Sequence, residues 1–265
     1  MDVEKLSVDL RPRPHWQAVD LGFQLLRSRA AAVLVPWWIV WTGIVALSCL
    51  GTALVPKLAL VWTMLPWTLR PMVERMVVHV LSRGVFQEEV TWRQTLRAWP
   101  GTWNGGWFRV LTWWRLLVPG RSFLQPIWQL EGARGEVVAR RRTVLSRQGA
   151  GRVAGTWGLV CAHIEGGLWF SGLVLLGLFT ESGSGGNPFL FIDQATDASS
   201  NLVARILSVA TYGLASGFVG PFYAAGGFAL YLDRRAELEA WDIELALRKM
   251  KRRREAVRSD RERSA

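Results

Sequence analysis

Long apolar runs alternate along the chain with segments that carry almost all of the charge. The first run, "AAAVLVPWWIVWTGIVALSCLGTALV" (Ala30–Val55), holds 26 residues without a charge. At about 1.5 Å per residue it exceeds the roughly 30 Å of a bilayer's hydrocarbon core, so it reads as a transmembrane helix. "VAGTWGLVCAHIEGGLWFSGLVLLGLF" (Val153–Phe179) is a second such run, and Ile206–Leu232 is a third. After the turn at Pro56–Lys57, Leu58–Leu69 is apolar for only twelve residues. It can cross only by continuing through Arg70–Val80, a stretch that contains Arg70, Glu74, Arg75 and His79. The pattern predicts an all-α polytopic membrane helix bundle with about four transmembrane helices, over about 30–55, 58–80, 153–179 and 206–232.

The segments between the runs differ in character. Residues 81–152 carry twelve arginines and four glutamates, with seven tryptophans between Trp92 and Trp128. "TWRQTLRAWPGTWNGGWFRVLTWWRLLVPG" (Thr91–Gly120) interleaves Trp, Leu and Arg, which predicts short amphipathic helices in the membrane interface, rings at headgroup depth and arginines snorkelling. Whether Trp107–Pro119 dips into the bilayer stays open at this level. Glu136–Arg147 reads as a further amphipathic helix. Thr180–Ala204 is rich in Gly, Ser, Asn and Asp and has no Lys or Arg, whereas six of the seven residues Arg248–Arg254 are basic. The organisation expected is a cytoplasmic segment 1–29, a membrane domain 30–232, and a basic cytoplasmic helix 233–265. Lys and Arg concentrate in the N-terminal segment, the middle segment and the tail, which by the positive-inside rule puts both termini and residues 81–152 in the cytoplasm.

Composition sharpens this picture. Sixteen tryptophans in 265 residues point to membrane interfaces, where an amphipathic ring has both an apolar and a wet neighbour. The net charge of +11 and the basic–aromatic interleaving also suit nucleic acid, but the flanking apolar runs argue for anionic lipid headgroups instead. No nucleic-acid partner is expected. Cys49 and Cys161, each inside an apolar run, give no disulfide framework. No cofactor, metal set or catalytic constellation is expected, since no His, Cys, Asp or Glu cluster has ligand spacing and no serine sits in a nucleophile elbow.

The chemistry-bearing residues lie inside the membrane. A lone charge at such depth costs at least about 2.5–3.5 kcal/mol, so pairing is expected. Counted from the ends of their runs at about 1.5 Å per residue, Arg70 and Glu165 differ in depth by about 6 Å, within reach of a guanidinium stem. Arg70–Glu165 is the favoured interhelical pair, with Glu74 four residues on completing a triad. His163 joins the intramembrane polar cluster as a buried, hydrogen-bonded group, with Gly166 and Gly167 opening its face to a neighbouring helix. Arg75 and His79 are expected to snorkel toward the cytoplasmic headgroups. The cluster of Arg70, Glu74, His163 and Glu165 fits either a staple that fixes helix register or a functional site. In the last run, Gly213, Gly217 and Gly220 form small-residue spacings for close helix packing. Pro221 there removes the donor for the Gly217 carbonyl.

Three stretches carry a resemblance: "LRPRPHWQAVDLGFQLLRSR", "RSFLQPIWQLEG" and "FALYLDRRAELEAWDIELALRKM". Together they resemble an uncharacterised family of proteobacterial polytopic inner-membrane proteins, over essentially the whole chain. Members of that family are often encoded beside transglutaminase-like membrane proteins. The last stretch is similar, more remotely, to the end of the membrane domain attached to some glycerophosphodiester phosphodiesterases, a domain without catalytic apparatus of its own. The resemblance implies a non-enzymatic inner-membrane protein that works with another membrane protein. The alternative is a small transporter or channel that uses the Arg/Glu/His cluster.

Overall fold

The computed structural model describes residues 14–103, 119–180 and 202–239. Among them are eight α-helices and no strand: α1 (His15–Ser28), α2 (Ala30–Leu54), α3 (Ala59–Val85), α4 (Trp92–Ala98), α5 (Arg121–Gln129), α6 (Glu136–Leu145), α7 (Ala150–Thr180) and α8 (Leu202–Leu238). Single tight helical turns at Pro56–Leu58 and Trp99–Trp103 follow α2 and α4. The acidic stretch 181–201, the 107–118 part of the interleaved segment and the basic tail, with Trp241, Leu245 and the Glu244–Arg248 spacing, lie outside the described residues.

Three helices are long and apolar enough to cross a membrane: α2, α7 over Ala150–Phe179, and α8. Each of them also keeps large apolar residues on the outside of the bundle. Ile39 and Leu50 of α2, Ile164, Leu168 and Leu175 of α7, and Leu214 and Phe218 of α8 are all exposed. An uncovered apolar surface on three long helices is the arrangement lipid requires, and these helices make the chain a membrane protein. α3 is 27 residues long but carries Arg70, Glu74, Arg75 and Arg83, which keep it out of that set. It runs antiparallel to α2, with Ser48 of α2 donating to the Trp62 carbonyl at one end and Arg29 packing on Gly84 at the other.

α8 is the spine, in contact with α1, α2, α3, α5 and α7. Its run Ala224–Gly227 explains how one helix accepts so many neighbours. A Cβ on Gly22 of α1 would lie 2.5 Å from the Ala225 carbonyl oxygen, so the two backbones touch there. Gly226 lies against the Trp157 indole of α7, and Gly227 against Ser122 of α5. Side chains at either glycine would push a helix away. The expected packing glycines serve a different contact: Gly213 meets Val45, Gly217 meets Trp38 and Trp41, and Gly220 meets Trp37, so side chains of α2, mostly indoles, fill the notches instead of a helix backbone.

Prolines inside helices leave carbonyls without their intrahelical donor, and three of these are supplied from a neighbouring helix. Pro36 frees Ala32 O, which accepts from Thr95 Oγ1 of α4 at 3.2 Å. Pro66 frees Trp62 O, which accepts from Ser48 Oγ of α2. Pro221 frees Gly217 O, which accepts from Trp37 Nε1 at 3.0 Å. In a medium without water such cross-helix donors are how freed carbonyls are satisfied.

Several expectations change. Trp37 and Trp41 are fully buried and donate to α8 carbonyls. Their rings therefore stand between α2 and α8. α5 is no surface helix: Ser122–Ile127 are all buried, wedged among α3, α7 and α8. α8 continues unbroken past Asp233 to Leu238. Asp233 lies 3.8 Å from His15 of α1. At the same end, Arg141 of α6 forks onto Glu131, with nitrogen–oxygen distances of 2.9–3.1 Å. It also reaches Glu239 at 3.2 Å. The Glu131 hydrogen bonds, opposed by partial burial, hold the Arg141 guanidinium pKa above its ordinary value.

Candidate functional site

The charges of α3 are tolerated because protein, not lipid, surrounds them. Leu60, Val61 and Met64 near its start are exposed, yet no residue from Arg70 to Leu81 is. That half is enclosed by α2, α4, α5, α8 and the Trp99–Trp103 turn. Within this sleeve Arg70 is 5% exposed and Glu74 wholly buried.

Arg70 is the centre of the cluster. Its Nε donates to Glu74 Oε1 at 2.9 Å, one helical turn on, and its Nη1 donates to Glu165 Oε2 of α7. Nη1 also lies 3.2 Å from Ser216 Oγ of α8. A second guanidinium, Arg121 at the start of α5, donates from Nη2 to Glu74 Oε1 at 2.7 Å. Tyr223 of α8 stands between the two arginines, with Arg70 Cζ 5.5 Å and Arg121 Cζ 5.1 Å from its ring centroid. The electron-rich face attracts both cations. Its hydroxyl donates to Pro119 O at 2.8 Å and accepts from Ser122 N at 3.1 Å, which pins the start of α5 in place. Two positive and two negative groups from α3, α5 and α7 thus form a neutral set. Removing one member leaves an uncompensated buried charge, the costly case.

A cavity of about 320 Å³ adjoins the cluster. Trp67, Arg70, Arg121, Glu165, Tyr212 and Tyr223 contribute to its wall, with Cys161 and Ala162 of α7 nearby. Arg121 Nη1 and Glu74 Oε2 are buried without a hydrogen-bond partner. Both atoms are enclosed by the surrounding side chains rather than open to the cavity.

The structure brings Arg70, Glu74 and Glu165 together and leaves His163 out. His163 is exposed on the opposite side of α7, with Nδ1 2.8 Å from Leu159 O in its own helix. The reason is helical geometry, since two residues apart means about 200° of rotation. Gly166 and Gly167 have nothing described within 4 Å of a would-be Cβ, so no described helix approaches on that face. Arg75 does not snorkel. It is fully buried, and its Nη1 donates to Thr102 O at 2.5 Å, because the Trp99–Trp103 turn packs on the middle of α3, where Trp99 Nε1 also donates to Met72 O. His79 is half-buried rather than extended into solvent.

Arg121 and Tyr223 were not legible as site residues. Arg121 is one of twelve arginines in a basic segment, and no spacing rule links it to Glu74. The only available signal was the Pro119–Gly120 break before it, which starts a new helix where an arginine follows at once. Gly120 backs onto Ala154–Gly155, and a Cβ on Gly158 would strike the Pro119 backbone, so this break docks tightly on α7. Among the described residues no group of three or more His, Cys, Asp or Glu is placed to hold a metal ion. Comparison with protein-family models, curated proteins and solved structures finds no match to this chain.

Proposed function

We propose that this chain is a non-enzymatic, four-span inner-membrane protein that serves as a scaffold or partner subunit for another membrane protein. In this reading α3 is the fourth span, both termini and residues 81–152 face the cytoplasm, and α4 and α6 lie in the interface against anionic lipid. The fourth span is supported by the antiparallel course of α3 beside α2 and by the enclosure of its charged half. The scaffold role is carried by one observation: Arg70 binds two carboxylates from two helices at once, which fixes the register of α3 against α7. A rigid core with an uncovered apolar face on α7 suits docking rather than large internal motion. The family resemblance points the same way. The test is affinity purification from mild detergent, with a reproducible membrane-protein partner as the expected result and none as the result that defeats it. Reporter fusions near residue 110 check the topology, and a periplasmic signal there removes the four-span arrangement.

The second reading, a small transporter, is favoured by the cavity beside Arg70 and Glu165. In that case flux through reconstituted protein collapses in Arg70→Ala or Glu165→Ala while the fold persists, and unchanged flux dismisses it.

A further inference from the structure

We infer that the outward side of α7 around His163 docks a transmembrane helix of another protein, one that carries a hydrogen-bond donor at the middle of the bilayer. The inference rests on the scaffold reading and names its docking face and the chemistry of its partner.

His163 lies about 20 Å from Ala150 and about 24 Å from Phe179 along the helix axis, near the centre of that span. Its ring is exposed, on the side of α7 turned away from Glu165. Ionisable side chains at such depth otherwise face a bundle interior or a water-filled cavity, and the short imidazole cannot reach a headgroup from there. It needs a neighbour to cover it. Among the described residues none does. α7 packs on α8, α5 and α1, yet a Cβ on Gly166 or Gly167, three and four residues on, would meet nothing within 4 Å.

The bond His163 already makes sets the chemistry of the partner. Its Nδ1 lies 2.8 Å from Leu159 O, and a carbonyl only accepts, so Nδ1 is the donor. The uncharged ring then presents Nε2 as an acceptor, and no described residue meets it. A second copy of this chain is the wrong match. A two-fold axis along the membrane normal brings His163 against His163 at one depth, acceptor facing acceptor. An indole, hydroxyl or amide donor on a different helix does match. Gly167 and Ser171, both exposed and one turn apart, let that helix come close.

The full-length protein is reconstituted in lipid vesicles with synthetic leucine–alanine transmembrane peptides. Association is read by energy transfer between a dye on the protein and one on the peptide. One peptide has Trp at its midpoint, a second has Phe there, and a third has the Trp two turns toward one end. A midpoint residue sits at the same depth whichever way the peptide inserts. The midpoint-Trp peptide is expected to bind about threefold more tightly than the other two, the size of an average interhelical hydrogen bond. His163→Leu removes that preference, and Gly167→Leu, which fills the notch, weakens binding by about threefold or more. Both positions face away from the bundle, so the fold survives either change. Equal binding of the three peptides, a preference that persists in His163→Leu, or parental affinity in Gly167→Leu overturns the inference. So does self-association of the protein that His163→Leu abolishes, which assigns the face to a second copy. In affinity purification, a partner held equally by the parental and His163→Leu proteins overturns this docking face alone, whereas no partner for either defeats the scaffold reading.

Discussion

The Trp37 indole N–H donates to the Gly217 carbonyl at 3.0 Å, the carbonyl that Pro221 leaves without a partner in its own helix. The bond joins α2 to α8 through residues 180 positions apart in sequence. It makes the tryptophan and the proline interdependent: the donor is needed because the proline is there.

That dependence is measurable as a double-mutant cycle. Trp37→Phe leaves a buried carbonyl unsatisfied and is expected to destabilise the protein by about 1–3 kcal/mol, in addition to the packing lost. In a Pro221→Ala background the helix supplies its own N–H to Gly217, so the same change costs about 1 kcal/mol less. Equal costs in both backgrounds, from equilibrium unfolding in detergent, would show that the indole contributes by volume alone.

The ionic cluster gives a second cycle. Arg70→Met strands Glu165 without a cation and is expected to cost about 3–5 kcal/mol. Adding Glu165→Gln removes the stranded charge, while Glu74 keeps Arg121 at 2.7 Å. More than half of the lost stability should then return. A double variant as unstable as Arg70→Met alone would mean the arginine acts through packing.

Glycines on α1 and α7 should behave oppositely. A methyl at Gly22 falls 2.5 Å from Ala225 O and 2.8 Å from Ala225 C, backbone atoms that have no rotamer to yield. Gly22→Ala is therefore expected to destabilise by about 1–3 kcal/mol through overpacking. Gly167 has open space, so Gly167→Ala should gain about 0.4–1 kcal/mol from a less flexible unfolded chain. Similar unfolding midpoints for the two variants would contradict the α1–α8 contact.

His163 supplies a control. Since it stands outside the cluster, His163→Leu should change stability by no more than about 0.5 kcal/mol, whereas Glu165→Leu two positions on unpairs Arg70 and should be strongly destabilising. A large loss from the histidine variant would return that residue to the site.

How far the letters alone reach depends on which force sets each feature. The three apolar runs are legible because transfer into hydrocarbon sums over the whole length of each run and swamps local detail. Arg70, Glu74 and Glu165 could be singled out because charges in apolar runs demand partners, and depth counting limits the choices. Burial is harder to read. An indole between two helices and an indole at headgroup depth satisfy the same rule, an apolar ring with one polar tip, so Trp37 and Trp41 could not be told from interfacial residues. The burial of α5 is hidden for a similar reason. "RSFLQPIWQL" is balanced enough to lie on a surface, and its burial follows from Ser122 and Tyr223 meeting near Gly227, a tertiary coincidence with no local signature. Arg121 could not be found without that docking.

Arg70 and Glu165 are 95 residues apart, and this has a consequence for biogenesis on the four-span reading. At about 5–20 residues per second of synthesis, the ribosome delivers α7 roughly 5–20 s after α3. Through that interval Glu74, on the same helix, is the one acid of the trio already made, and Arg121 arrives midway. The newly made α2–α3 hairpin therefore carries a balanced Arg70–Glu74 pair at first, turns net positive at the cluster once Arg121 joins it, and waits for Glu165 of α7 to restore neutrality.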